Sequence, residues 1–181
     1  MAETNQVYTS RVSGFWNTRH EIANDEGRVG VLSVRRNGWG MVVGGSFQPE
    51  KGEVYELERN PGLVRSQFTM WTDTREWLGS AERRSYVKRE ILVHAGGRPY
   101  RLLPSPGLGR GWTLYAPKTG EAAIRIEVPL LGRGARLEVL RKLEFPLLVF
   151  TYFLGCQVYP ESIFPGPSLE RAKRLAESSA V

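Results

Sequence analysis

The chain has a single cysteine, Cys156, and two histidines, His20 and His94, in 181 residues. One thiol excludes an internal disulfide and any zinc site built from several cysteines. Neither histidine has a His, Cys or acidic neighbour at metal-ligand spacing, so metal binding and acid–base catalysis have little to draw on. Cys156 sits in an apolar run, where a thiol behaves as a small hydrophobe and its pKa rises. A Ser–His–acid set and a nucleophile elbow are both missing, and "GSFQ" lacks the context for one. The glycine-rich "PGLGRGW" (106–112) lacks the Lys-Ser/Thr of a P-loop and leads into a strand, so it reads as a hairpin connection. Carboxylates such as Glu53, Glu56, Asp73 and Glu76 are scattered rather than paired. The expectation is a protein that is not an enzyme and carries no cofactor and no metal.

Long apolar runs are also scarce. The one uncharged stretch of note lies within "EFPLLVFTYFLGCQVYPES" (144–162) and runs from Phe145 to Tyr159. As a helix it would be roughly 24 Å long, short of the roughly 30 Å hydrocarbon core of a bilayer. The opening "MAETNQVYTSRVSG" has neither the basic nor the apolar region of a secretory signal. Position 2 is not the glycine that myristoylation needs, and "SSAV" is not a prenylation box. These features lead us to expect a cytoplasmic protein, peripheral to a membrane at most.

Turn residues, in contrast, are plentiful. Twenty glycines and eleven prolines divide the chain into short segments, most of which alternate apolar and polar residues. "RVGVLSVRRNGWGMVVGG" runs up to Asn37-Gly38 and returns through Trp39, Met41 and Val43, which predicts a two-residue type I′ hairpin. Further turns are expected at Asp25-Glu26-Gly27, Asn60-Pro61-Gly62, Gly96-Gly97 and Lys118-Thr119-Gly120. On either side of the last of these, Trp112, Leu114, Ala122, Ile124 and Ile126 keep period two. "VYELERN" and "SQFTMWTD" are strands by the same test, whereas "GARLEVLRKLE" reads as a strand or a short helix. About ten or more strands at this spacing give a mainly β protein, a sandwich or a closed barrel.

The apolar segment then has three readings: a membrane span, a buried strand pair bent at Gly155, or a helix of about four turns over 146–159. Pro146 suits the first turn of a helix, where its missing N–H costs nothing. Leu147, Leu148, Val149, Phe150, Tyr152, Phe153, Leu154 and Val158 would leave that helix no polar face, so it must be surrounded.

Strands followed by a C-terminal all-apolar helix resemble the tubby C-terminal-like superfamily, which includes phospholipid scramblases and LURP-one-related proteins. "GWTLYAPKTGEAAIRIEV" is similar to their late hairpin, "LEFPLLVFTYFLGCQVYP" to their terminal hydrophobic segment, and "HEIANDEGRVGVLSV" to their strand–turn–strand unit. The resemblance covers residues 14–163. It implies a closed antiparallel barrel of about twelve strands around the helix, with residues 1–13 as an extension and 164–181 as a tail. Two departures stand out. Ala116-Pro117 replaces an acidic turn residue, and "RLEVLRKLE" replaces the acidic segment that scramblases place before the helix, which argues against calcium-dependent scrambling.

The net charge is +6, which favours acidic partners. Arginine far outnumbers lysine, a bias that genomic base composition also produces. Basic clusters stand in or beside turns: Arg35-Arg36, Arg83-Arg84 with Lys88-Arg89, Arg133 with Arg136, and Arg141-Lys142. Gathered on one rim they would hold a phosphorylated head group of an anionic phospholipid at a membrane surface, since Arg offers a bidentate fork and Lys a point charge. Dispersed, they are solvated loops. Trp39, Trp71, Trp77 and Trp112 are either interfacial anchors or core. The tail "PSLERAKRLAES" predicts a short helix from Ser168, with Leu169, Ala172, Leu175 and Ala176 opposite Arg171, Lys173 and Arg174. That helix would suit an adaptor or assembly role towards an acidic protein partner. Nucleic acid is a third destination for the charge, but no recognition motif accompanies it.

Overall fold

The computed structural model describes residues 5–60, 67–85, 89–105, 110–129 and 133–158. Twelve strands follow one another: β1 (Gln6–Ser13), β2 (Arg19–Asn24), β3 (Gly27–Arg36), β4 (Val42–Pro49), β5 (Tyr55–Asn60) and β6 (Gln67–Thr72) come first. They are followed by β7 (Trp77–Ser85), β8 (Glu90–Ala95), β9 (Arg98–Pro104), β10 (Arg110–Tyr115), β11 (Ala122–Val128) and β12 (Gly134–Val139). Each pairs antiparallel with the next, and β1 pairs with β12, so the sheet closes into an up-and-down barrel without edges.

A barrel of this strand number has a lumen wider than its own side chains can fill. Helix α1 (Phe145–Tyr152) enters it with Pro146 in the first turn and Glu144 as an extended N-cap residue, and continues as a π-helix over Phe153–Val158. The side chains from Leu147 to Leu154 are buried, and they pack on the inward residues of every strand, among them Leu32, Leu57, Phe68, Val93, Leu114, Ile126 and Leu137. This is the surrounded helix that the apolar segment calls for, and no helix among the described residues is long and apolar enough to cross a membrane.

Small residues on the wall make room for it. A Cβ on Gly45 would lie 2.5 Å from the Ser33 carbonyl oxygen and 3.5 Å from the Phe153 ring. At Gly79 the corresponding distance to Phe150 is 3.5 Å, and on the helix side a Cβ on Gly155 would lie 3.2 Å from Ile126 and 3.3 Å from Trp112. Three glycines, Gly45, Gly79 and Gly155, therefore serve helix–wall packing rather than turns.

The expected turns at Asp25-Glu26-Gly27, Gly96-Gly97 and Lys118-Thr119-Gly120 are present, and Gly96 and Gly97 have φ of 55° and 69°. "GARLEV" is a strand. Four expectations need correction. Residues 6–13 are not an extension but β1; its inward series Tyr8-Ser10-Val12 carries a serine, which weakens the alternation. The Asn37-Gly38 hairpin is instead a five-residue loop, because Asn37 Oδ1 accepts the N–H groups of Trp39 and Met41, both at 3.0 Å. Ala122 leaves the inward series, because the β10–β11 register shifts at Leu114/Tyr115 and sets it beside Leu103 and Tyr115 outside the lumen. The helix expected over 146–159 begins at Phe145 and is π-helical from Phe153. The tail helix expected from Ser168 lies outside the described residues.

Candidate ligand-binding site

Antiparallel order fixes which connections share an end of the barrel. The base, where α1 enters, gathers the β2–β3, β4–β5, β6–β7, β8–β9 and β10–β11 turns. The mouth, where the helix ends, gathers the ends of β1, β3, β5, β7, β9 and β11. Charge divides along this axis. The base carries Asp25, Glu26, Glu50, Glu53, Asp73, Glu76, Glu121 and Glu144 among Lys51, Arg75, Arg98, Lys118, Arg141 and Lys142. The described mouth residues include Arg11, Arg19, Arg35, Arg36, Arg59, Arg83, Arg84, Arg89 and Arg133, with Glu21, Glu58, Glu82, Glu90 and Glu127 beside them.

Side-chain parity sharpens this polarity. In β3 the buried inward series Leu32-Val34 continues to Arg36; in β5 Leu57 leads to Arg59; in β7 Ala81 leads to Arg83. Three successive mouth-bound strands thus each carry an arginine on the inward face at or near their mouth end. At the start of β8, Arg89 joins them with its guanidinium 5.9 Å from the centroid of the buried Trp112 ring. These carboxylates alternate with inward neighbours and so face outward, and Glu90 is committed there to Arg101 at 3.2 Å. Arg36 donates to Gln157 Oε1 at 3.4 Å, and Arg59 lies 5.6 Å from the Phe68 ring centroid and donates to the Val42 carbonyl at 3.3 Å. Arg36 thereby sits beside the last described turn of the central helix, whose dipole favours cations there. Burial pulls the pKa of Arg36 down, and burial followed by the charge of Arg83 does the same to Arg89. Both arginines gain from an anion.

Of the ten basic positions expected from the sequence, Arg35, Arg36, Arg83, Arg84, Arg89 and Arg133 are at the mouth. Arg35 and Arg36 face opposite sides of the sheet, and the side chain of Arg84, like all of Lys88, lies outside the described residues. Arg133 donates to the Gly14 carbonyl at 2.8 Å, tying the β11–β12 connection to the β1–β2 loop. The remaining three are elsewhere. Arg136 faces outward along β12, paired with Glu138 at 3.2 Å. Arg141 is at the base in an ion pair with Glu121. Lys142 also lies at the base, on a cavity of about 370 Å³ shared with Arg98, Tyr100, Leu143, Glu144 and Leu147. The tail positions Leu169, Arg171, Lys173, Arg174 and Leu175 are outside the described residues. Sequence reasoning missed Arg59, whose only signal is that it continues an inward series to a strand end.

Just inside the mouth lies a buried polar chain that turn-spotting could not reveal. His20 Nδ1 is 2.7 Å from the Tyr152 hydroxyl and its Nε2 is 2.8 Å from Thr18 Oγ1. Tyr152 donates to Ser10 Oγ at 3.0 Å, and Ser10 Oγ accepts the Ala135 N–H at 2.8 Å. A neutral His20 with its proton on Nδ1 gives Tyr152, Ser10 and Thr18 matched partners, while Gln157 Nε2 lies 3.4 Å from that nitrogen. Burial first, then the charge of Arg36, lower its pKa from 6.5 to about 4. Burial pushes the Tyr152 phenol and the Cys156 thiol upward, so neither is a nucleophile. Among the described residues no three His, Cys, Asp or Glu side chains gather at metal-binding distance. Because the depressed pKa keeps folded His20 neutral, stability is full above about pH 6.5 and falls as the unfolded chain takes up the proton towards pH 4. Urea titrations at pH 7.5 and 4.5 should show His20 contributing a loss of up to roughly 3 kcal/mol. His20→Gln should abolish that share of the pH dependence.

Compared with models of known protein families, with curated proteins and with solved structures, the chain gives no match.

Proposed function

We propose that this protein is a non-enzymatic binding module of the tubby-like type whose barrel mouth recognises an anionic, phosphorylated ligand, the head group of a membrane phospholipid in particular. The observation that carries this reading is the inward set Arg36, Arg59, Arg83 and Arg89 on one end of the barrel, with the neighbouring carboxylates turned outward. Planar guanidinium groups in a partly dehydrated setting bind phosphate oxygens better than solvated lysines do. A twelve-strand barrel around a C-terminal helix also has the layout that the resemblance implies. The base is a poorer anion site, because its cations are interspersed with eight carboxylates, Asp25, Glu26, Glu50, Glu53, Asp73, Glu76, Glu121 and Glu144. The test is co-sedimentation with phosphatidylcholine vesicles, with and without phosphoinositide or cardiolipin. Binding to the charged vesicles only, weakening as salt rises, is expected. Equal partition into both vesicle types would reject the reading.

A further inference from the structure

Six large apolar side chains are exposed among the described residues, and five of them, Phe15, Trp16, Trp39, Met41 and Val43, are at the mouth. Phe15 and Trp39 are 84% and 90% exposed. Single exposed apolar residues are commonplace, but a cluster on one end of a molecule marks a contact surface. The β1–β2 and β3–β4 loops that carry the cluster flank the β2–β3 hairpin and so are neighbours around the rim. The tip of the Trp16 ring is 3.8 Å from where a Cβ on Gly40 would sit.

Both loops are held in place. Asn37 Oδ1 accepts the Trp39 and Met41 N–H groups at 3.0 Å, Asn17 Oδ1 accepts the Arg36 N–H at 3.3 Å, and the Val34 N–H reaches the Thr18 carbonyl at 2.9 Å. The loop backbones are thus held, and the exposed aromatic side chains project from them rather than folding over the core. Immediately around them stand Arg19, Arg35, Arg36 and Arg133. Aromatic tips ringed by cations match the bilayer interface, where Trp and Phe occupy the head-group layer and arginines meet lipid phosphate.

We infer that the β1–β2 and β3–β4 loops form a wedge that inserts Phe15, Trp16, Trp39 and Met41 into the interfacial layer of an anionic bilayer, standing the barrel mouth-down on the membrane. The charged half of this contact rests on the anion-binding reading above; the apolar half rests on the loops alone.

The experiment compares the full chain with Phe15→Ser/Trp39→Ser on phosphatidylcholine vesicles with and without phosphoinositide, and on soluble inositol hexakisphosphate. Each aromatic moved into the interface is worth about tenfold in affinity, so the double variant should bind charged vesicles about 100-fold more weakly. Its affinity for inositol hexakisphosphate and its Tm should be unchanged, since both residues are exposed. Tryptophan emission of the wild type should be quenched by lipids with brominated chains, and the Trp16→Phe/Trp39→Phe variant should lose most of that quenching. If inositol hexakisphosphate binds but vesicles do not, or the double variant binds vesicles as the wild type does, insertion is overturned and anion binding stands. If vesicles quench these tryptophans without regard to charge, insertion stands and the anionic reading falls. Failure of every probe removes both. Self-association in sedimentation that the double variant abolishes, without vesicle binding, would assign the cluster to a second copy instead and overturn insertion.

Discussion

Phe150→Arg should leave no soluble, natively folded protein. Phe150 is fully buried, midway along the central helix, beside the wall at Gly79. Removing its ring forfeits about 2–3 kcal/mol of burial, and an unpaired guanidinium in that position adds a desolvation penalty of several kcal/mol. Together these reach the 5–15 kcal/mol by which a domain of this kind is stable. Position along the helix decides the outcome. Phe153 is equally buried, against the Phe68 ring at 6.0 Å, but lies about a turn nearer the mouth. An arginine there can extend its stem and place its head among water and Gln157, so Phe153→Arg should be less severe than Phe150→Arg. Phe150→Leu, which keeps an apolar side chain, should fold with a loss on the order of 2 kcal/mol. Soluble yield, near-UV circular dichroism and thermal melts of the three variants check the order. A soluble, native-like Phe150→Arg would mean that the segment is not the core.

That helix was the most legible part of the chain. Its apolar circumference cannot face water, and the alternating segments before it supply the only shell able to enclose it. Turns were legible where glycine itself needs positive φ, as at Gly96 and Gly97. Asn37-Gly38 misleads because the asparagine has a second option: its side chain takes backbone N–H groups two and four residues on and opens a wider loop. Trp39 and Met41, which alternate as if inward, consequently end on a loop tip in water. Among the charges, the adjacency that made Arg35-Arg36 look like a cluster is itself misleading, since neighbours on a strand face opposite sides. What groups arginines in a barrel is the end at which their strand finishes together with the parity of their position. Arg36, Arg59 and Arg83 share both while lying more than twenty residues apart in sequence. The His20–Tyr152–Ser10 chain was invisible for a related reason, because β1, β2 and the helix meet only when the barrel closes.

Removing the mouth charges should sharply weaken binding to anionic vesicles. Each arginine near a charged surface contributes on the order of 1 kcal/mol, so Arg36→Gln/Arg59→Gln/Arg83→Gln should reduce affinity by roughly 150-fold and flatten its salt dependence. Glutamine keeps part of each stem, which limits the loss of packing against Phe68 and Gln157. Two companions separate the causes. Arg36→Lys/Arg59→Lys/Arg83→Lys keeps the charge but not the bidentate fork; it should recover most of the vesicle binding and remain weaker than wild type for inositol hexakisphosphate. Arg141→Gln/Lys142→Gln removes two charges from the base, one of them already paired with Glu121, and should leave binding unchanged. If the base variant loses as much affinity as the mouth variant, only net charge matters and the arginine mouth is not a site. If the folded mouth variant binds as wild type does, the arginines serve the carbonyl end of the helix alone, and the barrel takes its ligand elsewhere.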